Sequence, residues 1–147
     1  MSFTLHPQLA KDSMTIGDFP LCRLLLINDR QYPWTVLVPK VTDIREIYQL
    51  PFDDQIQLIC ESSHLCQCLN EIYQADKMNI AAIGNKVPQL HIHHIVRYND
   101  DAAWPEPVWG KHPAITYSTE QQQSVIDEIQ HNLLQNTAIP FIPTESN

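Results

Sequence analysis

The chain has few basic residues, no long apolar run and no paired cysteine motif. Its 147 residues include nine Lys and Arg against 17 Asp and Glu, for a net charge of −8. This balance excludes the broad basic face that binds nucleic acid, but a few backbone N–H groups and one lysine can still hold a small phosphate ligand. The longest aliphatic run, Leu24 to Ile27, is far too short to span a bilayer, so no membrane contact is expected.

Targeting and redox signals are also weak. The first residues lack the basic segment followed by an apolar segment that marks a secretory signal, so we expect a cytoplasmic protein. No CxxC pair occurs among the four cysteines, and we expect reduced thiols that are mostly packed. Cys66 and Cys68 would point apart on a helix, which makes a zinc cluster built on them an unfavourable interpretation.

The order of hydrophobic patterns predicts one α+β domain, over residues 1–147, built around an antiparallel sheet. The predicted core covers about residues 20–110, a C-terminal helix covers about 119–135, and the tail 136–147 is expected along the surface. Within this core we predict two antiparallel hairpins and one long helix. The predicted elements are a short helix near 6–13, strands at 21–28 and 35–38, a helix from 51 to about 77, and strands at 78–83 and 87–97.

Three details of these elements can be checked in the structure. Ser118 and Gln121 form a capping-box pattern at the start of the last helix. The Pro- and Trp-rich segment 99–114 predicts an ordered loop pinned by Trp104 and Trp109, which we expect to be packing anchors rather than ligand contacts. The helical spacing in the long helix predicts that these residues face the sheet: Ile56, Ile59, Cys60, Ser63, Cys66, Leu69, Ile72 and Tyr73.

The most informative segment is the run from Val87 to Arg97, which is apolar and rich in histidine. Because successive side chains of a strand point to opposite faces, Gln89, His91 and His93 should share one face and His94 the other. An imidazole can act as nucleophile, acid, base or metal ligand near neutral pH. Two imidazoles side by side on a stiff strand therefore predict a reactive surface.

Phosphoryl or nucleotidyl transfer fits this arrangement. A neutral imidazole nitrogen can attack phosphorus in line, provided that its other nitrogen donates to a group such as a backbone carbonyl, which fixes the tautomer. A second imidazole two residues further on can contact a phosphate oxygen or the leaving group. The Gly84-Asn85-Lys86 turn before the strand can supply N–H groups to the phosphate.

The run Gln89-Leu90-His91-Ile92-His93-His94-Ile95 resembles the signature of the histidine-triad (HIT) superfamily, His-φ-His-φ-His-φ-φ with φ apolar, and the likeness points to its diadenosine polyphosphate hydrolases. The order of elements over about residues 20–110 is similar as well. The resemblance implies that His91 is the nucleophile and that His93 contacts phosphate and helps the leaving group depart. It further implies binding roles for the phosphate turn 84–86, for Asn28 at the ribose and, after a one-residue adjustment, for Asn79 at phosphate.

Three positions depart from the family pattern. Gln89 replaces the first histidine of the triad, so an acid–base role is lost there while a positioning role survives. Trp34 and Thr35 stand where the family often has a Gly-His pair, which removes a histidine on the phosphate side. His94 occupies an apolar position, and we expect it to be a hydrogen-bonded histidine at a rim or a subunit contact.

The resemblance implies a hydrolase or transferase that acts at the α-phosphate of a dinucleoside polyphosphate or nucleoside phosphoramidate. It implies no cofactor apart from Mg²⁺ carried by the substrate, and a two-fold homodimer whose sheets join side by side. Two alternatives remain open at this point. One is a nucleotide-binding module without turnover, and the other is a metal site in which His91 and His93 are completed by His112 or a carboxylate.

Overall fold

The computed structural model describes residues 2–145. Its secondary structure follows an α+β pattern in which strands and helices are segregated along the chain. The elements are α1 (Pro7–Asp12), β1 (Ser13–Asp18), β2 (Cys22–Ile27), β3 (Trp34–Pro39), a 3₁₀ turn (Ile47–Gln49), α2 (Phe52–Tyr73), β4 (Lys77–Ala81), β5 (Ile92–Arg97), α3 (Thr119–Gln135) and β6 (Ile142–Pro143).

The described strands form one antiparallel sheet in the order β4-β5-β3-β2-β1-β6. The predicted fold class and both predicted hairpins, β2–β3 and β4–β5, are confirmed. The two strands at one edge, β1 and β6, were not predicted. β1 is interrupted by a register shift between Thr15 and Gly17, and β6 is only two residues long, so neither has a clear period-two pattern.

The sheet separates two apolar layers. On one face, β-strand residues such as Leu24 and Leu37 pack against α2 and α3, through side chains such as Leu65 and Ile129. On the other face, Leu25, Val36 and Val38 pack against α1 and the N-terminal segment. The second face is thinner, because a six-residue helix covers it. It therefore leaves room for a cleft.

The predicted face of α2 is confirmed at its C-terminal end, where Leu69 is buried and Ile72 and Tyr73 pack on the core, but it was wrong in the first half of the helix. Ile56 and Ile59 are 48% and 63% exposed, whereas the residues that face the sheet are Leu58, Glu61, Ser62, Leu65, Cys68 and Leu69. Apolar periodicity failed because polar side chains occupy the buried stripe. The Glu61 carboxylate accepts the backbone N–H groups of Leu21 and Cys22 at 2.9 and 2.8 Å, so its burial leaves no oxygen unpaired there.

The histidine strand begins later than predicted. Pairing with β4 runs only from Ala81 opposite His93 to Lys77 opposite Arg97, and residues 82–91 form an irregular connection. Pro88 has no backbone N–H to donate to a ladder, and the N–H of Leu90 goes to the carbonyl of Ile44 instead.

The C-terminal region is confirmed in part. α3 begins after the predicted Ser118–Gln121 capping box, in which each side chain accepts the other residue's backbone N–H. The tail was expected on the surface, but Phe141 is 9% exposed and packs on Phe19 at 5.1 Å between ring centroids. No helix in the described residues 2–145 has the length and apolarity needed to cross a membrane.

Candidate active site

A cleft of about 680 Å³ opens on the sheet face that α1 covers, a volume typical of small-molecule sites. Its walls come from α1, the end of β2, the start of β3, the connection before β5 and the loop that follows β5. The lining residues are Leu9, Lys11, Asp12, Ile27, Asn28, Asp29, Trp34, Ile83, Gly84, Asn85, Lys86, Val87, His91, His93, Trp109, Gly110, Ala114 and Thr116.

His91 lies at the floor of this cleft, immediately before β5. Its Nδ1 is 2.7 Å from the backbone carbonyl oxygen of Gln89. A carbonyl only accepts, so Nδ1 carries a proton, and the lone pair of the neutral ring is then on Nε2. Nε2 has no hydrogen-bond partner among the described residues. The geometry therefore provides the unprotonated nitrogen that the sequence analysis required of a nucleophile.

His93 has the opposite tautomer to His91. The indole Nε1–H of Trp34 donates to His93 Nδ1 at 3.0 Å. Trp34 lies opposite Ile95 in the β3–β5 ladder, which places its side chain diagonally next to His93 on the same face. Because an indole nitrogen is a donor only, His93 Nδ1 must be the acceptor, and the ring proton is on Nε2.

The two imidazoles are neighbours, with ring centroids 5.0 Å apart and planes at 68°. The edges of Trp34 and Trp109 also approach the His93 ring, at 5.8 and 5.1 Å between centroids. Burial, followed by the charges that His91 and His94 would carry, lowers the pKa of His93 from 6.5 to about 3. At neutral pH His93 is therefore an uncharged hydrogen-bond donor.

His94 points to the opposite side of the sheet, toward α2. Its Nε2 lies 2.7 Å from the Ser62 hydroxyl, and its Nδ1 lies 2.9 Å from the carbonyl of Ile92. Burial lowers the pKa of His94 to about 4, although the bond to Ile92 acts in the opposite sense. The expected hydrogen bonding is present, but the expected rim location is wrong, because the residue is 0% exposed in the core.

The predicted phosphate turn borders the cleft. Gly84 has φ = 67°, a left-handed conformation that is strained for residues with a side chain, and a Cβ there would lie 3.4 Å from the Val87 carbonyl oxygen. Asn85 and Lys86 are exposed beside it. Within residues 2–145 no carboxylate lies within ion-pair distance of the Lys86 ammonium, so its charge is available to an anion.

Asn28 also lines the cleft, directly after β2. Its Oδ1 accepts the backbone N–H of Tyr117 at 2.9 Å, which ties the start of the α3 region to the end of β2. In the described part of the chain its Nδ2 makes no hydrogen bond. The next residue, Asp29, is 4% exposed and accepts the N–H groups of Gln31 and Ile115, so it shapes this wall of the cleft.

Two predicted site residues do not border the cleft. The Gln89 side chain turns to the N-terminal segment, where Oε1 accepts the N–H of His6 at 2.8 Å and Nε2 donates to the carbonyl of Thr4 at 2.9 Å. Asn79 lies on the edge strand, and its Oδ1 accepts from the Arg97 guanidinium at 2.8 Å. The direct phosphate contact expected of Asn79 thus has no support in its location.

The loop after β5 is fixed by a buried ion pair that the sequence did not reveal. Arg97 and Asp101, whose side chains are 1% and 5% exposed, make a two-bond contact at 2.7 and 3.0 Å. The same guanidinium donates to the Glu106 carbonyl and lies 5.7 Å from the centroid of Trp104. Trp104 and Trp109 are thus packing residues as predicted, and Trp109, which packs on the cluster around Tyr32 and Ile95, also lines the cleft.

Trp34, Trp109 and the α1 residues Lys11 and Asp12 were not predicted as cleft residues. Trp34 had been noted only as a departure from the family pattern. The signal that could have found it is its position at the start of the strand that pairs with the histidines. A metal site has less support, since no group of three His, Cys, Asp or Glu side chains within residues 2–145 is arranged to hold a metal ion, and His112 bonds to the Ala102 carbonyl.

The comparisons with known proteins agree with this fold. The HIT domain family matches residues 8–100. A crystal structure of a histidine triad protein from Marinobacter aquaeolei VT8 is 52% identical, with a TM-score of 0.89 over 92% of this chain and 98% of that one. For a histidine triad protein from Bradyrhizobium japonicum the identity is 43% and the TM-score 0.87, over 90% and 98% of the two chains.

A third crystal structure, a histidine triad protein from Sinorhizobium meliloti 1021, is 40% identical, with a TM-score of 0.86 over 88% of this chain and 96% of that one. No curated protein matches the chain at a significant level. The family match covers most of the sequence and includes both imidazoles of the cleft, and the fold agrees with the solved structures over nearly their whole length. This chain therefore belongs to the HIT domain family.

Proposed function

We propose that this protein hydrolyses or transfers the nucleotidyl group of a nucleoside conjugate, by attack of His91 on the α-phosphorus. HIT proteins are generally nucleotide hydrolases or transferases. The observation that carries the proposal is the His91 tautomer, in which the bond from Nδ1 to the Gln89 carbonyl leaves a lone pair on Nε2 at the cleft floor. The substrates that the family resemblance implies are dinucleoside polyphosphates and nucleoside phosphoramidates.

The reaction proceeds in two displacements. In the first, the lone pair of His91 Nε2 forms a P–N bond while the bond from phosphorus to the leaving group breaks, and its electron pair departs with that group. In the second, a water oxygen forms a P–O bond, the P–N electron pair returns to Nε2, and the water proton goes to solvent. The products are a nucleoside monophosphate and free His91.

The remaining cleft residues bind the anion. The Nε2–H of His93 donates to a phosphate oxygen, where charge grows in the transition state. Lys86 and the backbone of Gly84 and Asn85 hold the phosphate from the other side, and the free amide end of Asn28 contacts the ribose hydroxyls. No metal ligand is required of the chain, and Mg²⁺ arrives with a polyphosphate substrate. We expect this activity in the cytoplasm.

The proposal is tested by trapping the intermediate. Purified protein is mixed with a dinucleoside polyphosphate labelled at its α-phosphate, quenched in alkaline denaturant within one turnover, and assayed for acid-labile label. We expect label on the unmodified chain and on His131→Gln, which removes an exposed imidazole of α3, and none on His91→Asn. A chain that binds AMP but never acquires label would be a nucleotide-binding module and would refute the catalytic proposal.

We also propose that two copies associate, as the family resemblance implies. Tyr48, Phe52 and Ile59 are 77%, 75% and 63% exposed near the start of α2, and Ile80 on the edge strand β4 is 54% exposed. An unpaired edge strand and apolar side chains of this size favour burial against a second copy. Sedimentation should give a dimer that Ile59→Lys dissociates, and a monomeric unmodified protein at micromolar concentration would refute the association.

A further inference from the structure

The hydrogen bond between Trp34 and His93 has a consequence for the leaving group. An indole N–H can donate but never accept. The indole N–H points at His93 Nδ1, 3.0 Å away. If the His93 ring took up a second proton, that proton would be on Nδ1, and two donors would then face each other. The imidazolium form of His93 is therefore disfavoured by geometry, independently of the burial of the ring.

The side chain at position 89, where the family resemblance implies another acid–base group, cannot supply a proton either. Gln89 has no titratable group, and both ends of its amide are engaged by the N-terminal segment. Neither triad position beside the nucleophile can therefore deliver a proton to a departing group. His93 can stabilise negative charge on oxygen through Nε2–H, but it keeps that proton.

We propose that Trp34 is a positioning residue which fixes His93 as a neutral Nε2–H donor, and that the cleft consequently selects substrates whose leaving group departs as an anion. This inference rests on the proposed function. When a phosphoanhydride is cleaved, the electron pair of the P–O bond leaves on a phosphate oxygen, which is stable without a proton. When a phosphoramidate is cleaved, the pair leaves on nitrogen, and an amine forms only if an acid supplies a proton.

The other charged groups that line the cleft do not replace that acid. Asp29 uses its oxygens to accept backbone N–H groups at 3.1 and 3.3 Å. Asp12 is exposed and accepts from Gln8 at 2.8 Å. Lys11 and Lys86 are exposed at the rim, and an exposed ammonium group is a weak acid at neutral pH. These lysines offer positive charge to phosphate oxygens, which again favours a polyphosphate.

The first arm of the test compares two substrates that share the adenylyl group, diadenosine tetraphosphate and adenosine 5′-phosphoramidate. We expect the unmodified chain to give a kcat/KM at least about 100-fold higher for the anhydride, the lower end of what a positioned general acid contributes. In Trp34→Phe, which keeps an aromatic ring but removes the donor, the ratio should shift toward the phosphoramidate by about tenfold or more. Trp104→Phe, on the loop outside the cleft, should keep the original ratio.

The second arm reads the tautomer directly, through the ¹⁵N imidazole resonances of His93. We expect a pure Nε2–H form in the unmodified chain and a mixture of tautomers in Trp34→Phe, which has no ring donor. A mixed tautomer in the unmodified chain, or an unchanged spectrum in Trp34→Phe, overturns the assignment of Trp34 while the proposed function stands.

The kinetic measurements test the leaving-group selection separately from the His93 tautomer. Equal turnover of both substrates by the unmodified chain overturns the leaving-group selection, although label on His91 would still support nucleotidyl transfer. A protein that cleaves neither compound and acquires no label overturns the proposed function and the selection together. Should Trp34→Phe fail to fold, the substrate ratio and the ¹⁵N resonances of His93 in the unmodified chain decide the question.

Discussion

Two neighbouring histidines on β5 are held uncharged inside the fold, which predicts a loss of stability at mildly acidic pH. His93 and His94 are 8% and 0% exposed, and burial lowers their pKa values from 6.5 to about 3 and about 4. In the unfolded chain both rings take up protons near the ordinary value. Because the unfolded state binds more protons below that pH, the free energy of unfolding must fall as the pH falls through this window.

The magnitude follows from the distance between pH and pKa. At pH 5 both rings remain neutral in the folded protein. In the unfolded chain the pH is about 1.5 units below the pKa of each ring, so protonation stabilises the unfolded state by about 2 kcal/mol per histidine. Together His93 and His94 should reduce the free energy of unfolding by about 4 kcal/mol between pH 7 and pH 5, a large part of a typical total of about 5–15 kcal/mol.

The buried carboxylate Asp101 contributes little to this window. Burial acts to raise the pKa of Asp101, but the bonds from Arg97 and neighbouring backbone N–H groups lower it overall from 3.8. A carboxylate with a lowered pKa stabilises the fold at pH values above the unfolded pKa, and that stabilisation is lost only as the pH falls toward the folded pKa. The effect of Asp101 therefore appears below pH 4, outside the measured range.

The assay is urea unfolding at several pH values between 7 and 5, with the same ionic strength throughout. For each variant, the free energy of unfolding at pH 7 is compared with that of the same variant at pH 5. A change in absolute stability caused by the substitution therefore cancels. We expect His94→Gln to retain only about 2 kcal/mol of the pH-dependent loss, since one titrating group is removed. His131→Gln should keep the full loss. A total loss below about 1 kcal/mol in the unmodified chain would refute the assignment of His93 and His94 as neutral buried groups.

Three further substitutions test separate parts of the structure. Asp101→Asn leaves the Arg97 guanidinium buried without its charge partner, so we expect about 3–5 kcal/mol less stability by urea unfolding, and an unchanged midpoint would contradict the buried ion pair. Gln89→Ala removes two hydrogen bonds to the N-terminal backbone and should cost about 1–3 kcal/mol, with faster amide exchange at His6 as the specific signature. Gly84→Ala should cost about 1–2 kcal/mol in stability because of the positive φ, and should weaken AMP binding measured by calorimetry.

The sheet and its hairpins were predictable because their strands have apolar runs and clear breaks. Pro39 closes β3, and the capping box at Ser118 marks the start of α3. The face of α2 was not predictable from periodicity, because Glu61 and Ser62 occupy buried positions through hydrogen bonds to partners distant in sequence. No local pattern identifies which polar residue will find such a partner, so the apolar residues Ile56 and Ile59 were assigned to the wrong side.

The candidate site divides in a similar way. His91, His93 and the turn 84–86 lie within a short segment whose local geometry the sequence determines, and the structure brings them together at the cleft. Trp34 and Lys11 reach the cleft through strand pairing and through packing of the N-terminal segment. These contacts depend on residues separated by about half the chain, which no motif of a few residues encodes.

The backbone of Gln89, and not its side chain, orients the proposed nucleophile His91. The proton on His91 Nδ1 is held by the backbone carbonyl of residue 89, and every amino acid provides that carbonyl. The side chain at the same position does not bond His91. It binds the backbone of Thr4 and His6 instead, which holds the segment leading into α1 in place. Because α1 forms one wall of the cleft, the Gln89 side chain helps to fix that wall. Since its amide has no titratable proton, we expect reactions whose leaving groups need a proton to be slow, whereas the proposed attack by His91 does not depend on this side chain.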